Sequence, residues 1–424
     1  MKVTVSPLSQ QLAGKIFAPP SKAQTHRALF AGLMTKGTTS LRKPLESDDT
    51  EATVRAIIAT GANVVKSSDT WNVTSSGTLR APDDDINCGE SGVTMRFMIP
   101  ILSLTGSTVT LRGKESLLRR PIEPLSSAMR QLGIELTLGR DYVTIEGEVP
   151  KGGMIQIRGD VSSQFVSGLL FAGTRMKKGL KITMTSKLES QSYVSLTIRT
   201  IKQHDVKIRT TNDMTQFEID PGQVYLPADH EIQGDFSSAA FFLVAAAITG
   251  SPLLVNNLQA DSLEPDSGLI KFMNVMGIRT AFLDEGLRVE GGSLKGVELD
   301  ITNCPDLGPI LAVLACFAQG QTRITGAARL RYKESDRLAT ISSELSSLGA
   351  DIKETGDGLV LKGPSSLRGG TVRSHGDHRI AMALSVAALR AHGKVTIEQA
   401  ESVSKSYPRF FHDLRSLGVE VLGE

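Results

Sequence analysis

Two hydrophobic patterns alternate along the whole chain. Stretches with apolar residues at i, i+3, i+4 and i+7, such as Leu125, Ala128, Met129 and Leu132, predict amphipathic helices. Each stretch is followed by a glycine or aspartate and then by a short apolar-polar-apolar run such as residues 134–136, which predicts a strand. Glycine just after a helix is typical of a left-handed C-terminal cap. The local unit is therefore predicted to be a helix, a cap residue and a strand.

This unit recurs six times, about every 72 residues. The cap residues that mark it are Gly61, Gly133, Asp205, Gly277, Gly349 and Gly418. A second feature with the same period is a turn rich in Gly, Asp, Ser or Pro that opens another helix. Its copies begin at Pro19, Gly89, Gly159, Gly234, Pro305 and Gly376. Each repeat therefore holds two helices, and propeller blades or ankyrin-like and armadillo-like arrays are disfavoured because their units are shorter.

Six such repeats favour an α/β (α+β) protein with two domains of three repeats each. The chain is expected to cross between the domains near residues 17–20, which are rich in proline, and near residues 226–234, which include Pro227. The expected domains are an N-terminal lobe of residues 19–231 with repeats 1–3, and a discontinuous lobe of residues 1–18 plus 232–424 with repeats 4–6.

Composition excludes several classes of protein. The chain of 424 residues has 47 Lys+Arg against 45 Asp+Glu, a net charge of +2, and only 5% aromatic residues. This balance argues against a partner that is a nucleic acid or a membrane surface. The longest apolar run, residues 239–248, is too short to span a bilayer. Residues 1–5 alternate like a strand and lack the apolar block of a signal peptide, so a cytoplasmic location is expected.

Features that often indicate a metal or cofactor are weak here. Cys88, Cys304 and Cys316 form no Cys-x-x-Cys pair and are expected to be buried small hydrophobes. His375 and His378 have a spacing that suits a metal, but no third ligand is apparent. No P-loop, nucleophile elbow or dinucleotide fingerprint occurs. We therefore expect no metal and no cofactor.

Cations gather at the predicted helix starts. A helix start offers free N–H groups and a partial positive charge, so it suits anions. The cations are Lys22, His26, Arg27, Arg96, Arg119, Arg120, Lys333, Arg337, His378, Arg379 and Lys405. A lone arginine is more often a solvated surface residue, and the run 333–337 or the serine pairs 162–163 and 237–238 could simply cap helices. Recurrence at equivalent places favours a site for substrates with several phosphates or carboxylates.

Short motifs follow one another at these helix starts. They are Pro20-Ser21-Lys22 with Arg27, Gly89-Glu90-Ser91-Gly92 with Arg96, Arg120-Pro121-Ile122, Ser162-Ser163-Gln164, Ser190 with Tyr193, Pro305-Asp306, Lys333-Glu334-Ser335-Asp336-Arg337, Asp377-His378-Arg379 and Lys405. Together they resemble the 5-enolpyruvylshikimate-3-phosphate (EPSP) synthase family of enolpyruvyl transferases, in order across essentially the whole chain. This resemblance implies two domains, each of three βαβαββ repeats, with helix N-termini facing an inter-domain cleft.

The resemblance also implies a reaction and its residues. The reaction moves the enolpyruvyl (1-carboxyvinyl) group of phosphoenolpyruvate to the 5-hydroxyl of 3-phosphoshikimate and releases phosphate through a tetrahedral intermediate, within the shikimate pathway to chorismate and aromatic amino acids. The implied 3-phosphoshikimate positions are Lys22, Arg27, Ser162, Ser163, Gln164, Ser190, Tyr193, Asp306 and Lys333. The implied phosphoenolpyruvate positions are Lys22, Gly92, Arg120, Gln164, Arg337, Arg379 and Lys405.

Three residues are expected to do the chemistry that the resemblance implies. Asp306 is the expected base for the 5-hydroxyl, and Glu334 is the expected proton donor to the methylene carbon. Lys22 is expected to contact the bridging oxygen and help phosphate leave. Gly92 adds no methyl group to the pocket, so glyphosate is expected to compete with phosphoenolpyruvate. The expected partners are these small molecules, without nucleic acid or membrane, and the expected state is a monomer.

Departures from the family pattern and three rival functions bear on this interpretation. Ala23 replaces a usual Ser, and Glu90 and Arg329 each replace a common Asn. The UDP-N-acetylglucosamine enolpyruvyl transferase is a poorer match, because Glu115 stands where that enzyme has a reactive Cys. An RNA-end-modifying protein built from related βαβαββ units is disfavoured by the near-neutral charge. A binding module without catalysis is disfavoured because Lys22 and Asp306 occur together with Glu334 and Arg379.

Overall fold

The six predicted cap residues all end a helix with left-handed backbone. The five glycines, at 61, 133, 277, 349 and 418, have φ between 80° and 115°, and Asp205 has φ 61°. Each lies two residues beyond the last helical residue. Glycine adopts positive φ without a Cβ clash, and aspartate tolerates it better than most residues do. The sixfold pattern read from the sequence is therefore a pattern of backbone conformation.

The computed structural model describes residues 1–423. Its helices are α1 (Lys22–Met34), α2 (Asp48–Ala59), α3 (Gly92–Leu102), α4 (Glu115–Leu118), α5 (Glu123–Gln131), α6 (Ser163–Gly173), α7 (Gln191–Gln203), α8 (Phe236–Thr249), α9 (Leu269–Val275), α10 (Gly308–Cys316), α11 (Arg337–Ser347), α12 (His378–Ala388) and α13 (Phe410–Ser416). Its strands are β1 (Lys2–Val5), β2 (Lys15–Phe17), β3 (Lys36–Arg42), β4 (Asn63–Lys66), β5 (Thr70–Ser76), β6 (Ile86–Asn87), β7 (Val109–Arg112), β8 (Ile134–Leu138), β9 (Tyr142–Gly147), β10 (Gly153–Ile157), β11 (Leu180–Met184), β12 (Ile208–Thr210), β13 (Gln216–Ile219), β14 (Asp229–Glu231), β15 (Leu253–Asn256), β16 (Ile278–Leu283), β17 (Gly286–Gly292), β18 (Glu298–Asp300), β19 (Gly320–Thr325), β20 (Asp351–Glu354), β21 (Leu359–Gly363), β22 (Gly370–Arg373), β23 (Val395–Glu398) and β24 (Val421–Leu422).

These elements form two units. Unit 1 comprises Met1–Pro19 and the segment from Gln233 onward, and unit 2 comprises Pro20–Ile232. In the part of the chain described, each unit has three four-stranded sheets. In the sheet β6-β7-β9-β8, the first two strands run parallel and the other two neighbouring pairs run antiparallel. The sheets β10-β11-β13-β12 and β18-β19-β21-β20 repeat this plan.

Two sheets are completed by strands that are distant in sequence. Strand β2 directly precedes α1 but pairs in parallel with β15, so that Ile16 lies beside Val255. Strand β14 directly precedes α8 but pairs in parallel with β3, so that His230 lies beside Leu41. The two strands hold equivalent places in the repeat, and the first and fourth repeats have therefore exchanged them. In a similar way β1 lies between β23 and β24.

Each unit has its own hydrophobic core around three almost fully buried helices. In unit 2 these are α1, α3 and α6, and their rings Phe30, Phe97 and Phe171 lie 5.1–6.1 Å apart between centroids. In unit 1 they are α8, α10 and α12. Buried aromatic contacts of this kind fix helices against one another. The six turns predicted from the sequence, which begin at Pro19, Gly89, Gly159, Gly234, Pro305 and Gly376, lie directly before these inner helices.

Two sequence expectations on composition can be compared with the structure. All three cysteines are buried and unpaired, as expected for small core residues. None of the helices found in residues 1–423 is long and apolar enough to cross a membrane.

Candidate active site

Serine hydroxyls cap all three inner helices of unit 2. Ser21 accepts a hydrogen bond from the Gln24 backbone N–H at the start of α1, over 3.1 Å. Ser91 caps α3, and Ser162 caps α6 by accepting from the Gln164 backbone N–H. Each hydroxyl satisfies one of the N–H groups that a helix start leaves without a helical partner. The cap function that the sequence left open for residues 162–163 is thus performed by Ser162.

Several predicted residues meet around the start of α3. A Cβ atom built on Gly92 would lie 3.4 Å from Arg120 Nη1, 3.6 Å from Gln164 Oε1 and 3.7 Å from Arg96 Nη1. Arg120 is buried although its guanidinium is charged. Two cations thus lie beside a helix N-terminus, an arrangement that suits a carboxylate or a phosphate.

Lys22 and Arg27 lie on α1, the first helix of unit 2. Lys22 Nζ is 2.8 Å from the Asp49 carboxylate, at the start of α2. Arg27 is buried, where it donates to the Thr197 hydroxyl over 2.8 Å and to the Tyr193 carbonyl over 3.0 Å. Its Cζ also lies 5.7 Å from the centre of the Tyr193 ring, which suits a cation–π contact. Asp49 is a partner that no motif in the sequence indicated.

His26, one of the cations considered from the sequence, has a structural role. Its Nδ1 is 2.7 Å from the Thr53 hydroxyl, which is 2.6 Å from the Thr94 hydroxyl, which is in turn 2.7 Å from that of Ser91. Burial lowers the pKa of His26 well below its ordinary value, and Lys22 and Arg27 lower it further. This neutral ring ties α1 to α2 and α3 and thereby fixes the helix starts.

In unit 1 the predicted residues form one ion-pair network around Asp306. The Asp306 carboxylate lies 3.1 Å from Lys333 Nζ, 2.9 Å from Arg337 Nη1 and 3.4 Å from Arg379 Nη2. Burial alone would raise the pKa of Asp306, but Lys333, Arg379 and Arg337 hold it well below its usual value. Asp306 is therefore ionised at neutral pH, and three cations surround it.

Arg337 joins this network to two further carboxylates. Its side chain is 1% exposed and contacts Glu334 as well as Asp306, and its Nε is 2.7 Å from Asp377 Oδ2. Burial opposes its charge, but Asp377, Glu334 and Asp306 together raise the pKa of Arg337 above its ordinary value. A permanently charged, planar guanidinium is suited to hold several carboxylates in fixed positions.

In unit 1 some of the predicted residues cap helices, and others belong to the ion-pair network. Asp336 caps α11 and Asp377 caps α12, by accepting from the backbone N–H groups of Ala339 and Arg379. At α8 the cap is Asp235, so the serine pair 237–238 is not a cap, and Ser237 instead donates to the buried Asp266. The segment 333–337 therefore supplies both a cap and members of the ion-pair network.

Three further predicted residues are Lys405, Ser163 and Ser190. Lys405 Nζ donates to the Gly376 carbonyl over 2.6 Å, next to Asp377. Ser163 is the first residue of α6, and Ser190, with φ 53°, precedes α7. Most of the predicted residues thus lie in three places: around Gly92 in unit 2, on α1 with Lys22 and Arg27, and in the Asp306 network of unit 1.

The residues that depart from the family pattern have partners of their own. The Ala23 carbonyl accepts from Arg27 over 2.9 Å. Glu90 accepts from Ser116 and pairs with Lys114, and Arg329 donates to the Thr302 carbonyl over 2.8 Å.

The histidine pair considered for a metal is divided between two environments. His375 is exposed and lies 2.8 Å from the Glu344 carboxylate, whereas His378 is buried in α12. Among residues 1–423, no group of three or more His, Cys, Asp or Glu side chains could hold a metal ion.

The chain is similar to known proteins over almost its whole length. The sequence model of the EPSP synthase (3-phosphoshikimate 1-carboxyvinyltransferase) family matches residues 8–414. The chain belongs to the EPSP synthase family. A 3-phosphoshikimate 1-carboxyvinyltransferase of Methanocorpusculum labreanum is 40% identical over 429 residues, and one of Clostridium perfringens is 37% identical over 427 residues. Both matches cover 100% of each chain.

Solved structures agree with this membership of the EPSP synthase family. The EPSP synthase of Acinetobacter baumannii superimposes with a TM-score of 0.83 at 29% identity, and the match covers 100% of both chains. The enolpyruvyl transferase NikO of Streptomyces tendae gives a TM-score of 0.81 at 18% identity, covering 99% of this chain and 98% of NikO, and this likeness concerns the fold alone. The predicted family and fold class are confirmed.

Proposed function

We propose that this protein is an enzyme that transfers the enolpyruvyl group of phosphoenolpyruvate to the 5-hydroxyl of 3-phosphoshikimate, giving EPSP and phosphate. One observation carries the proposal: the family match over residues 8–414 includes every residue to which a role is assigned below. Similar curated proteins that are 34–40% identical are named 3-phosphoshikimate 1-carboxyvinyltransferase, so transfer to UDP-N-acetylglucosamine and RNA-end modification are not favoured.

The proposed 3-phosphoshikimate contacts in unit 2 are donors at two helix starts. At α6 they are Ser162, Ser163 and Gln164, and at α1 they are Lys22 and Arg27. Helix N–H groups together with these cations suit a phosphate and ring hydroxyls. Ser190 and Tyr193 at α7, and Asp306 and Lys333 in unit 1, complete the proposed set.

The proposed phosphoenolpyruvate contacts are mainly cations. In unit 2 they are Lys22 and Arg120, with Gly92 and Gln164, and in unit 1 they are Arg337, Arg379 and Lys405. Planar guanidinium groups bind carboxylates and phosphates through two parallel hydrogen bonds. A glycine at the start of α3 allows the backbone N–H groups to approach such an anion closely. Glyphosate is proposed to compete for the same set.

The proposed proton transfers use two of the carboxylates held by Arg337. Asp306 is ionised in the free protein, so it can accept the proton of the 5-hydroxyl. Its low pKa depends on Lys333, Arg379 and Arg337, and anionic substrates that draw these cations would raise the basicity of Asp306. Glu334, after taking up a proton from solvent, is proposed to donate it to the methylene carbon, and Lys22 is proposed to assist the departure of phosphate.

Phosphate release from phosphoenolpyruvate tests this proposal, with 3-phosphoshikimate or UDP-N-acetylglucosamine as the acceptor and a chelator present. Release with 3-phosphoshikimate alone is expected. Asp306→Ala and Glu334→Gln are each expected to lower kcat by about a hundredfold or more, because each removes a proton-transfer group. The matched control is Glu354→Gln, since Glu354 is an exposed carboxylate in β20 that pairs with Arg331. No release with either acceptor would refute the function, and near-normal kcat in either variant would refute that role.

Further features of the protein stay predictions. Units 1 and 2 are proposed to be the two domains expected at residues 1–18 plus 232–424 and 19–231. The monomeric state, the cytoplasmic location and independence from metals, cofactors, nucleic acid and membranes are proposed on the same basis as the function.

A further inference from the structure

Helices α3 and α6 run side by side in the same direction, and their starts lie together. A Cβ atom on Gly168 of α6 would lie 2.8 Å from the Arg96 carbonyl and 3.0 Å from Pro100 Cγ. A glycine at this position therefore permits close approach of the two helices. The side chain of Arg96 extends towards the start of α6, one turn before Gly168, where it contacts Ser162 and Gln164.

Arg96 fixes the orientation of the Gln164 amide. Arg96 Nη1 is 2.8 Å from Gln164 Oε1. A guanidinium carries only donors, so the amide atom that faces it must be the oxygen, and the NH2 group of Gln164 points elsewhere. The Arg96 Cζ lies 5.2 Å from the centre of the Phe165 ring, a cation–π contact that helps to hold the guanidinium in place.

Arg96 has a parallel effect on Ser162. The Ser162 hydroxyl oxygen accepts from the Gln164 backbone N–H over 3.3 Å and from Arg96 Nη1 over 3.4 Å. A hydroxyl oxygen has two acceptor lone pairs and one hydrogen. With both lone pairs occupied, the remaining function of Ser162 is to donate its hydrogen.

We propose that Arg96 is a positioning residue that commits Ser162 and Gln164 to donate hydrogen bonds to an anionic ligand at the start of α6. Without Arg96, either side chain could rotate and present a lone pair instead, and an oxygen facing an anion repels it. This inference rests on the proposed function, in which Ser162 and Gln164 bind 3-phosphoshikimate. It assigns to Arg96 the ordering of the donors and not a contact with the substrate.

Arg96→Met should weaken binding more than it slows the chemistry. We expect it to raise the Kd and KM for 3-phosphoshikimate about tenfold, because both donors lose their fixed orientation, and to change kcat less. Arg96→Lys keeps a charged donor without the planar fork and should restore part of the affinity. Calorimetric titration with 3-phosphoshikimate measures Kd, and phosphate release measures KM and kcat.

A double-mutant cycle distinguishes positioning from a direct charge effect. In the Ser162→Ala/Gln164→Ala background, Arg96→Met should change Kd by less than about twofold, because the groups that Arg96 orders are absent. A full tenfold effect in that background would overturn the proposal. A purely structural role would lower the melting temperature and the active fraction but leave KM unchanged, and that result would also overturn it.

Arg112→Met is the matched control. Arg112 also lies over an aromatic ring, 5.8 Å from the centre of Tyr142, but pairs with the exposed Asp85. Its removal should leave Kd and KM unchanged. Wild-type protein that binds 3-phosphoshikimate but releases no phosphate would refute the proposed reaction, while the Kd values would still decide the role of Arg96. Wild-type protein that does not bind would overturn both.

Discussion

Mild acid should destabilise unit 2 through a buried pair of histidines. His204 Nε2 and His230 Nε2 are 2.9 Å apart, and both rings are buried. His204 Nδ1 lies 2.7 Å from the Leu226 carbonyl and 2.9 Å from the Thr35 hydroxyl. A carbonyl only accepts, so His204 carries its hydrogen on Nδ1, and its Nε2 accepts from His230. A further proton on His204 would place two N–H groups against each other.

The pKa values of both histidines follow from this arrangement. Burial lowers the pKa of His204 from 6.5 to about 4, although its hydrogen bond to the Leu226 carbonyl partly offsets the effect. Burial and then His204 lower the pKa of His230 to about 3. Tyr225, whose ring centre is 5.9 Å from that of His204, is an uncharged phenol throughout this pH range, and burial raises its pKa further.

Both histidines lower the stability of unit 2 in acid. Below pH 6.5 the unfolded chain takes up protons that the folded pair refuses, so the free energy of unfolding decreases as the pH falls towards the folded pKa values. Each histidine lowers the free energy of unfolding by at most about 1.4 kcal/mol per pH unit, or about 2 kcal/mol between pH 6.5 and pH 5. For His204 alone the shift sets an upper limit of about 3 kcal/mol.

The single tryptophan offers a selective assay. Trp71 in β5 is 3% exposed and pairs with Leu41 of β3, which also pairs with His230 of β14. Its fluorescence therefore reports unfolding of the sheet that holds one of the two histidines. Urea unfolding of the full chain, followed at pH 7.5 and at pH 5, gives the change in free energy of unfolding for this unit.

His230→Gln keeps a donor for His204 but cannot be protonated. Between pH 7.5 and pH 5, the free energy of unfolding should fall by about 2 kcal/mol less in this variant than in the wild type. His412→Gln removes an exposed histidine of unit 1 and should behave like the wild type. Equal losses in His230→Gln and the wild type would refute the reasoning.

Two further predictions concern unit 1 and the proposed ligand set. Burial raises the pKa of Asp266 to about 6, and its Oδ1 has no hydrogen-bond partner, so ionisation at neutral pH opposes folding. Asp266→Asn should therefore raise the free energy of unfolding at pH 7.5 by about 1–3 kcal/mol, which calorimetry detects as a higher melting temperature. The gain should vanish near pH 4, where Asp266 is protonated. An equal gain at both pH values would contradict this prediction. Glyphosate should raise the KM for phosphoenolpyruvate without lowering the maximal rate. Gly92→Ala should weaken the binding of both ligands, because its methyl group would lie 3.4 Å from Arg120 Nη1. Initial rates at several phosphoenolpyruvate concentrations check this, and inhibition independent of that concentration would refute the shared site.

Local features of the fold could be predicted from the sequence. An apolar stripe followed by Gly133 or Asp205 predicts the end of a helix, because few residues tolerate positive φ at that position. Strand partners could not be predicted in this way, since nothing in residues 15–17 indicates that β2 pairs with β15. The crossing expected near residues 17–20 assigned residues 15–17 to the lobe of repeats 4–6, but the choice of β15 within that lobe depends on packing, which a local pattern does not record.

The same limit applies to the candidate site. Its motifs are short runs at helix starts, so their residues are visible in the sequence. Asp49, the partner of Lys22, and Asp266, the partner of Ser237, come from other segments and have no motif of their own. Arg96 was visible as a cation, four residues after Gly92 on one helix face, but its link to Gln164 depends on how α3 packs against α6.

The exchanged strands have a consequence for the order of synthesis. Unit 2 is complete once Ile232 has been made, whereas β1 must wait for its partners in β23 and β24, and β2 for β15. At a typical rate of translation, β1 waits on the order of 20–80 s. During that time it is an unpaired strand at risk of wrong pairing. Both strands are short and begin with a lysine, Lys2 or Lys15, features that discourage such pairing. Segments that are synthesised before unit 2 are thus among the last to dock.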